Sequence, residues 1–143
     1  FRGQSSTGIR PLLVKTSRDD WQNGMGLYLE NDVLSFYVNR RGREETDVKA
    51  SASIIGSYTH VVGTYDGDRI RLYVNGRLAK SKGYTFGIDP RSAPVLLGAG
   101  PGVQNFRGSV VKTAVYNRAL SDTEVRTNCL AVQDRFLPTV MCW

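Results

Sequence analysis

The sequence predicts an all-β fold: two antiparallel sheets packed as a sandwich, with one short helix near the C-terminus. Three observations carry that prediction. Short runs rich in β-branched and aromatic residues recur along the chain, divided by turn pairs such as Asp66-Gly67 and Asn75-Gly76. Within the runs, apolar and polar residues alternate with period two, as strands with one face on a core must. Helix-start chemistry is confined to one place, where Ser121 precedes Glu124 by three residues and forms a capping box.

Taken in order, residues 1–10 are polar and Gly/Ser-rich and read as a loop or frayed end. Residues 11–16 read as a short strand and 17–24 as a loop. Residues 25–30 and 33–39 form a hairpin around Asn31-Asp32, with Met25, Leu27 and Leu29 on one face and Leu34, Phe36 and Val38 on the matching face. A charged loop, 40–45, leads to a strand within 46–55. A meander follows: 58–65, 69–74 and a third strand near 77–84. In its middle strand Ile70, Leu72 and Val74 alternate with Arg69, Arg71 and Tyr73, so the aliphatics face the core and the arginines face out. Residues 87–94 carry two prolines and connect; 95–98 read as a short buried strand; 99–105 form a Gly-rich loop; 106–118 are the last long strand. Residues 119–128 carry the helix start, with Ser121 as N-cap. The tail, 135–143, has strand character broken by Pro138, which suits a sheet edge.

At 143 residues the chain is read as a single domain, long enough to bury a full core. No run approaches the ~20 apolar residues of a membrane span. The start at Phe1, with neither initiator Met nor signal-like stretch, reads as a processed chain or a fragment. Nineteen basic against thirteen acidic residues give a net charge of +6 and a pI near 9.6. That balance favours acidic partners, with plain solubility as the alternative. Cys129 and Cys142 read as a disulfide suited to an oxidising compartment; two part-buried thiols are the alternative.

Two blocks carry a resemblance. Y-T-H-V-V-G-T-Y-D-G-D-R-I-R-L-Y-V-N-G-R-L, from Tyr58, resembles the "W-x-H-V-A-x-T-Y-D-G … L-x-L-Y-V-N-G" core of laminin-G-like, concanavalin A-like domains. F-R-G-S-V-V-K-T-A-V-Y-N-R-A-L-S-D-T-E-V, from Phe106, resembles their "F-x-G-x-I-D-x-V-x-I-Y-N-R-A-L-S-x-x-E-I" ending. The likeness covers roughly residues 11–128. It implies a jelly-roll arrangement of the two sheets, and a secreted or cell-surface module that binds glycans or protein ligands, often with calcium. The sequence departs from the pattern in three ways. Tyr58 stands for the usual Trp, Ser109 to Lys112 lacks the usual Asp, and only ten residues precede Pro11. The last departure leaves a sheet edge for the tail to fill.

The E-x-D-x-x-E strand of jelly-roll glycosidases is absent from the sequence, and Glu44 and Glu45, being adjacent, point to opposite faces. His60 sits where the family keeps a histidine and reads as a structural hydrogen-bonding residue. No Cys–His nucleophile or phosphate loop is present. The chain therefore reads as non-enzymatic. Glycan binding needs an aromatic face and planar polar groups. Trp21, with Asp19, Asp20, Gln22 and Asn23, has that composition on a loop; the alternative is a Trp that anchors its loop. Gln104 and Asn105 are a second candidate pair. Asp19 and Asp20 are the candidate calcium ligands. Arg40, Arg41, Arg43, Arg69, Arg71, Arg77, Lys80 and Lys82 are the candidate contacts for acidic ligands. Nucleic acid is disfavoured, because aromatics do not interleave with the basic residues. Oligomerisation is left open. The reading is a secreted carbohydrate-binding module or lectin favouring acidic glycans. The alternatives are an adhesion or structural domain that binds proteins and an ancillary domain of a larger secreted hydrolase.

Overall fold

The computed structural model describes residues 1–5, 7–17, 21–42, 47–50, 55–89, 92–103, 105–135 and 141–142. Its elements are β1 (Arg2–Gly3), β2 (Ile9–Lys15), β3 (Gly24–Glu30), β4 (Val33–Asn39), β5 (Val48–Ala50), β6 (Val61–Tyr65), β7 (Arg69–Val74), β8 (Arg77–Gly83), β9 (Leu96–Leu97), β10 (Gly108–Ser109) and α1 (Asp122–Arg135). They form a five-stranded sheet in the order β5-β4-β3-β2-β9, a three-stranded sheet β6-β7-β8, and a β1-β10 pair. Every ladder between these strands is antiparallel.

The β3–β4 hairpin forms as its alternation predicts. Asn31 and Asp32 both take positive φ, at 48° and 67°, which supplies the tight primed turn that matches strand twist. The inward row Leu29, Leu34, Phe36, Val38, Val48 and Ala50 meets Ile70, Leu72 and Tyr84 of the second sheet in one buried cluster. Each such side chain contributes about 1.5–3 kcal/mol on leaving water. Gly63 of β6 meets the Phe36 ring of β4 directly. A Cβ built there would lie 2.4 Å from the Phe36 ring, so only a residue without one fits.

The outward face of β7 is covered too. Tyr73 is 1% exposed and packs with Leu120, Val125 and Val62 beneath α1. Its hydroxyl donates to Asp122 Oδ1 at 2.7 Å. Ser121 caps the helix as the sequence indicates: Glu124 N donates to Ser121 Oγ, and Ser121 N donates back to Glu124 Oε2. Cys129 is buried and bonded to Cys142, closing a loop of 13 residues that contributes about 3 kcal/mol in the chain-entropy account.

Three expectations change, over residues 1–10, 95–98 and 106–118. Residues 1–10 are not a frayed end, because β1 pairs with β10 and Ile9 opens β2. The helix continues past 128 to Arg135, its cysteine tied down by the disulfide. The tail lies largely outside the described residues, and 141–142 are not in a strand. The strand near 95–98 is not buried: Val95 and Leu97 are about half exposed, since β9 is a sheet edge of two residues. The long strand over 106–118 reduces to Gly108–Ser109. Strand propensity needs a partner edge to become a ladder. Here β10 pairs with β1, and the following residues run exposed across a cavity of about 430 Å³, lined opposite by Met25, Leu27 and Val38.

The Gly63 contact yields a direct check. Gly63→Ala should lower unfolding free energy by about 1–3 kcal/mol through overpacking against Phe36. Gly83→Ala, where a new Cβ meets nothing within 4 Å, should be near neutral. Denaturant melts of both variants measure the difference, and equal stabilities would contradict the packing described.

Candidate functional site

The Trp21 loop is built from polar residues turned inward. Asn23 is fully buried: Ser17 N donates to its Oδ1 at 2.9 Å, its Nδ2 donates to Ser17 Oγ, and Thr16 Oγ1 donates to its carbonyl. Such side-chain bonding between the two ends of the segment orders the loop. Asn23 therefore shapes the rim and leaves the set of surface ligand candidates. Trp21 is half-buried. Its Nε1 donates to Pro101 O at 3.2 Å, its ring meets Tyr37 and Tyr28 at tilted and edge angles, and Gly100 comes so close that a Cβ there would lie 3.1 Å from the indole. The indole thus clamps its own loop to the loop around residue 101, which is the anchoring alternative rather than a free stacking face. Asn39 Nδ2 donates to Trp21 O at 2.7 Å and adds the end of β4 to the same rim.

The basic residues separate into three places. Arg71 faces out from β7 and forms an ion pair with Asp66. Bonds from Arg71 and from the amides of Arg69 and Asp68 hold the Asp66 carboxyl down at about 2. Arg77, Lys80 and Lys82 pair across the ladder with Val74, Leu72 and Ile70. They lie on the opposite face from Arg71, exposed on edge strand β8. The sequence spacing gives Arg77 and Lys80 different parity; the register shift between Leu72 and Tyr73 brings them to one face. Lysines on an edge strand also deter sheet-to-sheet association. Arg40 and Arg41 are exposed just beyond β4. Arg40 N donates to Tyr84 Oη at 3.0 Å, and Arg40 Nη1 donates to Phe86 O at 3.2 Å.

Asp19, Asp20, Arg43 and Gln104 lie outside the described residues; Asn105 is exposed. Among the described residues no three His, Cys, Asp or Glu side chains cluster as a metal site would require. Phe86 is the residue that sequence reading passed over. It is 46% exposed beside Arg40, and its signal was an aromatic in a Gly-bounded segment after a strand.

His60 does not take the hydrogen-bonding role expected of it. Its backbone pairs with Asn75, but its ring Nδ1 is buried and has no partner among the described residues. Burial first, then the positive charges of the Phe1 ammonium and Lys112, press its pKa down to about 4. Tyr37 and Tyr28 are raised, chiefly by burial, Tyr28 to about 12, so both phenols are neutral at ordinary pH.

The architecture is a jelly-roll sandwich whose loops meet in a tied rim at one end. The chain belongs to the concanavalin A-like lectin/glucanases superfamily, whose family model matches residues 2–126. Among solved structures it is similar to the CBM40 module of the Ruminococcus gnavus IT-sialidase. In the form described as bound to α2,6-sialyllactose the TM-score is 0.70 with 22% identity, over 87% of this chain and 76% of that one. In the form described as bound to α2,3-sialyllactose the TM-score is 0.68, with the same identity and coverage. These likenesses show a shared fold. No curated protein matches the sequence significantly. Among the described residues, no helix is long and apolar enough to cross a membrane.

The histidine gives a pH prediction. Its folded pKa lies below the ordinary 6.5, so the unfolded chain binds the proton first as pH falls. Stability should be complete above about pH 6.5 and decline toward pH 4, by on the order of 2–3 kcal/mol. NMR titration of the ring, unambiguous because the chain has one His, should give a midpoint near 4. A midpoint near 6.5 would contradict the burial described.

Proposed function

We propose that the chain is a secreted, non-catalytic carbohydrate-binding module that favours acidic glycans. One geometric observation carries the reading. The Trp21 loop, the loop around Pro101 and the end of β4 are tied into a single rim by Trp21 Nε1 to Pro101 O and Asn39 Nδ2 to Trp21 O, with exposed Arg40 and Arg41 beside it. A rim ordered before binding loses little entropy when a flexible sugar docks. The superfamily, the fold shared with modules solved with sialyllactose, and the net charge of +6 support the same assignment. The Cys129–Cys142 bond supports an extracellular setting. Calcium at Asp19 and Asp20 belongs to this proposal as the ion the resemblance implies.

A glycan array run at two salt concentrations, with and without chelator, tests the reading. Acidic glycans should bind above neutral ones and weaken as salt rises, because exposed charge contacts are screened. Loss on chelation would assign calcium a role. The absence of any glycan signal under all conditions would overturn the proposal in favour of a protein-binding adhesion domain.

A further inference from the structure

At the seam between the two sheets, a small corner has the components of an anionic-sugar subsite. Its floor is rigid. Tyr84 N donates to Asp68 O at 2.8 Å, and Gly87 N donates to Tyr65 Oη at 3.1 Å, so both ends of the 84–87 loop are fixed to the second sheet. The Tyr84 hydroxyl accepts from Arg40 N, tying the loop to β4 of the first sheet. Tyr65, Tyr84 and Phe86 pack in series at tilted and edge angles, with centroids 5.7 Å and 5.5 Å apart. Tyr84 is buried, while Phe86 at the end of the series is 46% exposed. At that exposure the Phe86 ring offers apolar surface to sugar C–H groups.

The charge beside it is held by a backbone carbonyl. Arg40 spends Nη1 on the Phe86 carbonyl. Among the described residues no carboxylate pairs with it, whereas Arg71, Arg118 and Lys49 each have an acidic partner. Asp68 and Asp89 are the acids on the segments that build the corner. Asp68 meets it through its carbonyl and Asp89 through its amide, which donates to Asn39 O. A guanidinium oriented by a backbone carbonyl still offers donors for a planar carboxylate.

We propose that Arg40 and Phe86 form the subsite that reads the carboxylate-bearing residue of a bound glycan. Arg40 binds the carboxylate and Phe86 packs against the ring. Asn39 and Trp21 connect this corner to the rim, so one oligosaccharide spans both. The inference rests on the carbohydrate-binding assignment above and specifies its acidic half.

The experiment is calorimetric titration of the full chain with α2,6-sialyllactose and with lactose, which differ by the acidic sugar alone. Arg40→Ala should weaken sialyllactose binding at least tenfold and leave lactose binding unchanged. Phe86→Ala should weaken sialyllactose severalfold. Arg40→Lys, which keeps charge without the planar fork, should recover part of the loss. Thermal melts verify folding, and saturation transfer from aromatic protons to the acidic sugar supplies a readout independent of the variants. If the wild type binds sialyllactose and both alanine variants match it, this subsite is wrong while the module reading stands. If the wild type binds lactose as tightly as sialyllactose, carbohydrate binding stands and the acidic subsite falls. If neither sugar binds, this subsite falls, and the module reading is decided by the glycan array.

Discussion

The contact on which the rest of the structure depends is that of the Phe36 ring with Gly63. Two twisted sheets come face to face only where their side chains interdigitate, and here one sheet contributes a flat ring and the other bare backbone. That approach sets β6 against β4. It therefore also sets what lies at their ends: Tyr65 at the end of β6 and Asn39–Arg40 at the end of β4. The hydrogen bond from Arg40 N to Tyr84 Oη, which crosses from one sheet to the other, is available only because the sheets are held at this separation. Packing in the core and geometry at the surface are one constraint.

The loops follow the same logic. Their polar side chains are spent internally. Asn23 on Ser17, Asn39 on Trp21, Trp21 on Pro101 and Asp66 on its own turn each convert a mobile connection into a fixed one. Arg40, Arg41 and Phe86 are exposed beside these fixed loops. Burial is the leading cause of the shifted pKa values of His60 and Tyr37.

Much of the fold was legible because local chemistry and tertiary need agree. Asn31-Asp32 and Asn75-Gly76 demand tight turns and make them, and Ser121 with Glu124 starts a helix where one is needed to cover Tyr73. Tyr73 itself was misread. Period two places it outward with Arg71, but a residue facing out of a sheet is still buried when a helix crosses there. The same limit applies to residues 110–117, whose pattern is that of a strand but whose partner edge is not encoded locally. At the site, composition singled out Arg40 and the Trp21 loop as candidates. It could not separate ligand-facing residues from anchors, because Asn23 and Trp21 have the same chemistry in either role. Phe86 escaped notice since its exposure depends on three bonds from distant residues.

The measurement that bears most directly on the account is amide shift mapping of the ¹⁵N-labelled protein during addition of sialyllactose. The account predicts saturable shifts centred on Arg40, Phe86 and Gly87, fading along Asn39 toward Trp21, with Arg77, Lys80 and Lys82 unmoved. Shifts centred on the β8 edge, or none at millimolar sugar, would contradict it.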